Sequence, residues 1–180
     1  THNDHWRVTR RAGESNKYAL HVLEELLPPL AVISAGEWHS MMVTPVGRLF
    51  TYGCNKFHKL GLGADNECIE DAWDDDFFAD DGNNNPHVGP REWTPQQVNV
   101  KWLSKKRVAS VSAALNHSAC LTRDGKLWIW GGYGERLGLG LCDRNQFSVP
   151  MMVRTKVAKV VGGACDTFCI TSTGELFHWG

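Results

Sequence analysis

Long apolar runs are missing from this 180-residue chain. No stretch is long enough to cross a bilayer as a helix, and no basic leader with an apolar segment marks a secretory signal. An excess of one charge is missing too, with 19 Lys and Arg against 20 Asp and Glu. That balance argues against a uniformly basic nucleic-acid binder, so no direct nucleic-acid partner is expected. Cysteines at Cys-x-x-Cys spacing are absent: Cys54, Cys68, Cys120, Cys142, Cys165 and Cys169 stand at irregular intervals. Buried free thiols in a reducing compartment are the simplest reading. Cytosol or nucleus is the default compartment, with an organelle matrix or a cilium behind it.

Catalytic constellations are also lacking. No serine, cysteine or carboxylate pair stands beside a base able to activate it. A calcium loop needs ligands at its first, third and fifth positions before a glycine. Counting back from Gly82 gives Asp81, Ala79 and Phe77, and the pattern fails. Gly131 to Gly138 looks like a phosphate loop, but Leu137 occupies a required glycine position and no helical pattern follows. His117 with Cys120, and Cys165 with Cys169, are weak zinc candidates, because His39 has no cysteine at the matching spacing. A histidine that recurs next to serine reads instead as a hydrogen-bonding residue inside its own repeat. No enzyme activity, cofactor or metal is expected. Asn116-His117-Ser118 matches a glycosylation sequon, but it falls inside the repeat and is discounted.

What is present is a repeat. Three stretches align without gaps: His39, Gly47, Tyr52-Gly53; His117, Gly125, Trp130-Gly131; and Asp166, Gly174, Trp179-Gly180. The central glycine recurs after 78 residues and then after 49. Each copy holds two short runs around a turn, as in Ser118 to Thr122, Arg123-Asp124-Gly125, and Lys126 to Trp130. Asp-Gly between such runs signals a hairpin, because glycine takes the positive φ the turn needs. Columns agree across copies: Thr44, Thr122 and Thr171; Leu49, Leu127 and Leu176. Upstream, Ile33, Val111 and Val160 begin an earlier strand that ends at Gly36, Ala114 and Gly163. Two copies continue into Leu60-Gly61-Leu62-Gly63 and Leu137-Gly138-Leu139-Gly140, whose alternating glycines imply a tight backbone path. Repeats near 50 residues with paired short strands point to a radially repeated β-structure.

Gly-x-x-His-Ser-x-x-x-Thr-x-x-Gly, then Leu-x-x-Trp-Gly, then Leu-Gly-x-Gly, resembles the repeat of the regulator of chromosome condensation family. The likeness covers residues 31–63 and 101–180. It departs where the family's Gly-Gln before Leu-Gly is here His58-Lys59 and Glu135-Arg136. It implies an all-β fold, a partial β-propeller of about three four-stranded blades, seven in a complete ring. The ring needs roughly 350 residues, so this chain reads as part of a longer protein, or as an arc whose edges partner chains cover.

The expected organisation is an arm with a short helix over 1–30, a first repeat over 31–63, an insertion over 64–100, a second repeat over 101–153 and a third, truncated, over 154–180. Leu20, Leu23 and Leu27 have helical spacing, and Pro28-Pro29 would stop that helix. Between Asp65 and Glu92 one basic residue faces ten acidic ones, a local charge of −9 that leaves +8 elsewhere in a chain of −1. Within it lie Trp73, Asp74, Asp75, Asp76, Phe77, Phe78, Asp80 and Asp81. These aromatics either fold back onto the blades, dock into a basic, apolar groove on another protein, or sit in a solvated loop. The docking reading makes them the candidate partner-binding residues. The leading functional expectation is a non-catalytic protein-interaction scaffold, a subunit or domain of a larger assembly. The alternatives are guanine-nucleotide exchange on a small GTPase, which the resemblance implies, and substrate recruitment for a ubiquitin ligase or kinase.

Overall fold

The computed structural model describes residues 28–63, 91–101, 103, 105–132, 134–140 and 146–180. The expected helix at Leu20 to Leu27 and the acidic aromatic residues lie outside that set. Among the described residues, eleven strands form three antiparallel sheets. The first holds β1 (Val32–Ala35), β2 (His39–Val43), β3 (Leu49–Cys54) and β4 (Arg91–Gln97), in that spatial order. The second repeats it with β5 (Val108–Ala113), β6 (His117–Thr122), β7 (Leu127–Gly132) and β8 (Gln146–Arg154). The third contains β9 (Val157–Gly162), β10 (Thr167–Thr171) and β11 (Leu176–Trp179). Each sheet is a simple meander, with strands adjacent in sequence also adjacent in space; in the first, residues 55–90 separate β3 from β4.

Register follows the repeat. His39 sits opposite Gly53 and His117 opposite Gly131, and one residue further on Ser118 sits opposite Trp130 as Thr167 does opposite Trp179. The turn between the middle strands is the same in all three copies. The amide of Gly47, Gly125 or Gly174 donates to the carbonyl of Thr44, Thr122 or Thr171 at 2.8, 2.9 and 3.0 Å. Each of these glycines has positive φ (84°, 75° and 88°), the left-handed conformation that such a turn demands.

Residues 91–97, placed with the insertion on sequence grounds, pair with β3 from Cys54 to Phe50 and form the outer strand of the first blade. Arg91, where the chain re-enters the sheet, pairs with Cys54, while the Gly63 amide donates to the Ser148 carbonyl of β8 at 3.0 Å.

The blades converge through their first strands: β1 packs against β5 and β5 against β9. Burial alternates with the two-residue strand period. Cys120, Trp128 and Trp130 face the first blade and join Met41, Val43, Leu49, Val98 and Val108 in one core cluster. Ala119, Leu121, Leu127 and Ile129 face the third blade and join Val157, Val160 and Cys169 in another. A sheet with neighbours on both faces must be apolar on both, and β6 and β7 are buried throughout. On β10, Thr167, Cys169 and Thr171 are buried while Phe168 and Ile170 are exposed. Only one face of that sheet is covered by a described blade.

Candidate functional site

The polar residues of the repeat meet at the blade junctions. Neighbouring residues on a strand point to opposite faces, so His39 and Ser40 cannot share a partner within one blade. The structure therefore differs from the sequence expectation: the histidine bonds across the junction. His39 Nε2 lies 2.7 Å from Ser118 Oγ of the second blade. Ser118 Oγ donates to the Lys59 carbonyl at 2.7 Å. The indole of Trp130 donates to the same carbonyl at 3.0 Å. The second junction repeats this geometry. His117 Nε2 meets Thr167 Oγ1 at 2.9 Å, and both Thr167 Oγ1 and Trp179 Nε1 donate to the Arg136 carbonyl at 2.9 Å.

Each hydroxyl has one proton, and it is given to a carbonyl. The histidine must then donate from Nε2, which leaves Nδ1 bare. Nδ1 of both His39 and His117 is buried without a partner. A second proton there would be an orphaned, buried charge. Burial accordingly holds His39 at about 3, with Lys59 and His117 adding repulsion. Burial likewise holds His117 at about 4, with Arg136 contributing. Both imidazoles are structural, neutral donors, unsuited to proton transfer near pH 7.

The Leu-Gly loops carry those carbonyls. Gly61 and Gly138 lie flat on the indoles of Trp130 and Trp179, with φ of +70° and +65°. A Cβ on either glycine would sit 2.5 Å from Trp130 Nε1 or 2.7 Å from the Trp179 ring. Close approach of loop to indole is what the paired Gly and Trp motifs encode. At Gly53 and Gly131 the neighbouring strand backbone presses equally close. Gly180, the residue at the matching place in the third copy, has φ of +136°. Gly63 and Gly140 have positive φ (104° and 80°) but open space around them.

Other participants were not singled out from the sequence. Ser34 Oγ accepts from the Ala113 amide at 2.9 Å, and Ser112 Oγ from the Gly162 amide at 2.8 Å. Lys59 Nζ and Arg136 Nη1 reach the carbonyls of Leu115 and Ala164 in the next blade, at 3.3 and 3.4 Å. A signal existed: Ser34 and Ser112 are 78 residues apart, as His39 and His117 are. In the third blade Asp166 takes the histidine position. It lies 3.2 Å from His178 on the face that no described blade covers, and the His178 ring stacks on Phe168 at 4.4 Å.

The opposite rim differs in chemistry. Val46, Leu49, Val98, Leu103 and Val108 floor a groove of about 320 Å3, bordered by Arg48, Lys105, Lys106 and Arg107. Among the described residues, no three His, Cys, Asp or Glu side chains gather as a metal site, and no helix is long and apolar enough to cross a membrane.

Residues 46–121 match the sequence model of the regulator of chromosome condensation (RCC1) repeat. That stretch carries an RCC1 repeat. The Drosophila melanogaster regulator of chromosome condensation is 25% identical over 157 residues, covering 86% of this chain and 24% of that protein. The Bos taurus secretion-regulating guanine nucleotide exchange factor is 27% identical over 188 residues, covering 82% of this chain and 40% of the other. In the crystal structure of Kap60 bound to yeast RCC1 (Prp20), a chain with 18% identity superposes with a TM-score of 0.62, covering 86% of this chain and 32% of that one. The fold is that of an RCC1-type β-propeller, represented here by three blades. The chain spans about a quarter to two-fifths of the length of these curated relatives.

Proposed function

We propose that this RCC1-repeat chain is a non-catalytic protein-interaction scaffold, with the insertion between Gly63 and Arg91 as its distinctive contact element. One observation carries this reading. The repeated polar side chains His39, Ser118, Trp130, His117, Thr167 and Trp179 are consumed in holding blade to blade. What remains for function is the loops displayed at the two rims of a rigid frame. The proposed organisation keeps 1–30 as an arm, 31–63, 101–153 and 154–180 as propeller repeats and 64–100 as the acidic segment, its last strand completing the first blade.

Within that segment Trp73, Phe77 and Phe78 supply buried area. Asp74, Asp75, Asp76, Asp80 and Asp81 steer the encounter with a basic, apolar groove on a partner protein. Deleting residues 67–92 and measuring partner recovery by affinity capture tests this. Loss of partners is expected, and unchanged recovery removes the segment from the account.

A second reading, guanine-nucleotide exchange on a small GTPase, is favoured by the likeness to a relative that bears the exchange-factor name. Accelerated release of labelled nucleotide from any member of a GTPase panel would establish it over the scaffold reading.

A further inference from the structure

The groove on the hairpin rim is an addition to the repeat. Between the second and third blades, two residues (155–156) connect the outer strand to the next first strand. Between the first and second, ten (98–107) do so. The extra length places Lys105, Lys106 and Arg107 beside Arg48, over a floor of buried Leu49, Val98, Leu103 and Val108. Asp124 answers part of this charge, at 3.1 Å from Lys106 and 3.3 Å from Lys126. Arg48, Lys105 and Arg107 are exposed, and no carboxylate among the described residues pairs with them. Three uncompensated cations around an apolar depression disfavour one another until an anion arrives.

We propose that this groove binds an acidic protein segment, which seats one large apolar side chain on the Leu49–Val98–Leu103–Val108 floor while its flanking carboxylates pair with Arg48, Lys105 and Arg107. A protein segment fits better than a nucleic acid for two reasons. The cations border a depression with an apolar floor, which a side chain can fill and a phosphate cannot, and Asp124 beside Lys106 would repel a phosphate chain. The groove also lies at the opposite end of β3 from Arg91, where the first blade resumes after the insertion. Arg91 pairs with Cys54, whereas the groove lies at Gly47–Leu49, about 20 Å away at the rise of a β-strand. The inference deepens the scaffold reading by giving the frame a second, separate contact surface of defined chemistry.

The test uses the full chain and a fluorescein-labelled twelve-residue peptide of glutamates surrounding one central leucine, read by fluorescence anisotropy. Binding is expected to weaken roughly tenfold when the leucine of the probe is replaced by alanine. It should weaken by roughly tenfold or more in Arg107→Glu or Lys105→Glu. Lys159→Glu, an exposed change on the third sheet, should leave it unchanged. All variants are surface substitutions, and circular dichroism verifies their fold. Absence of peptide binding, binding indifferent to Arg107 and Lys105, or equal binding of the alanine peptide overturns the proposal. So does a 20-base-pair DNA duplex that binds more tightly through the same residues, which would assign the groove to nucleic acid. Deleting residues 67–92 should not alter peptide binding. If the groove variants lose the peptide while the deletion leaves partner recovery intact, only the role of the insertion falls.

Discussion

Acidification from pH 7 to pH 5.5 should weaken the fold through His39 and His117. Both are buried, and both donate from Nε2 to a hydroxyl whose own proton is committed to a carbonyl. The folded chain therefore holds them neutral, titrating only at about 3 and about 4. In the unfolded chain they take up protons near the ordinary value of about 6.5. Because the folded values are the lower ones, the stabilisation is complete above pH 6.5 and is lost as pH falls toward 4 and then 3. At pH 5.5 the unfolded state has gained roughly 1.2 kcal/mol per histidine relative to pH 7, about 2.5 kcal/mol for the pair. For a chain of this size that lowers the melting temperature by roughly 5–10 °C.

Thermal unfolding of the full chain at the two pH values measures it. The double variant His39→Gln with His117→Gln keeps an amide donor that cannot titrate. It should be less stable at pH 7, yet its midpoint should shift much less on acidification. A wild-type midpoint that does not move, or a double variant that falls equally far, would refute both the tautomer assignment and the argument from burial.

Two further outcomes test the packing. Gly138→Ala should cost about 2 kcal/mol or more, since φ is +65° and the new Cβ would press on the Trp179 indole. Gly140→Ala, with φ of +80° and open space around it, should cost only about 1 kcal/mol by urea denaturation. Cys54, Cys120 and Cys169 are buried and Cys165 is exposed. Burial pushes the Cys120 thiol up. Iodoacetamide followed by mass spectrometry should therefore label Cys165 in the native chain and reach Cys120 only after unfolding.

Much of the fold was legible because a repeat states its own boundaries. The spacing from His39 to Gly47 to Gly53, met again at His117 and Asp166, fixed the hairpins and the register. Positive φ at Gly47, Gly125 and Gly174 followed from turn chemistry that operates over four residues. The partners of the repeated side chains were not legible in the same way. His39 bonds to Ser118, 79 residues on, and no local pattern distinguishes that from a bond within the blade. Nor could composition assign 91–97 to the first sheet, because the acidic segment hides a strand whose pairing partner lies far back at Cys54 and Phe50. The basic groove was equally hidden: Arg48 and Lys105–Arg107 are separated by most of a blade and the whole insertion.

The amino-acid sequence by itself determined the unit: strand, Thr-x-x-Gly turn, strand and Leu-Gly loop, each set by short-range backbone conformation and a two-residue apolar rhythm. Tertiary structure alone decided what those units do to one another. It set which face of each sheet is buried, turned two histidines into neutral cross-blade donors, and gathered three cations, unpaired among the described residues, over an apolar floor. Burial, tautomer and charge crowding depend on which distant residues are neighbours, and only the packing of one blade on the next settles that.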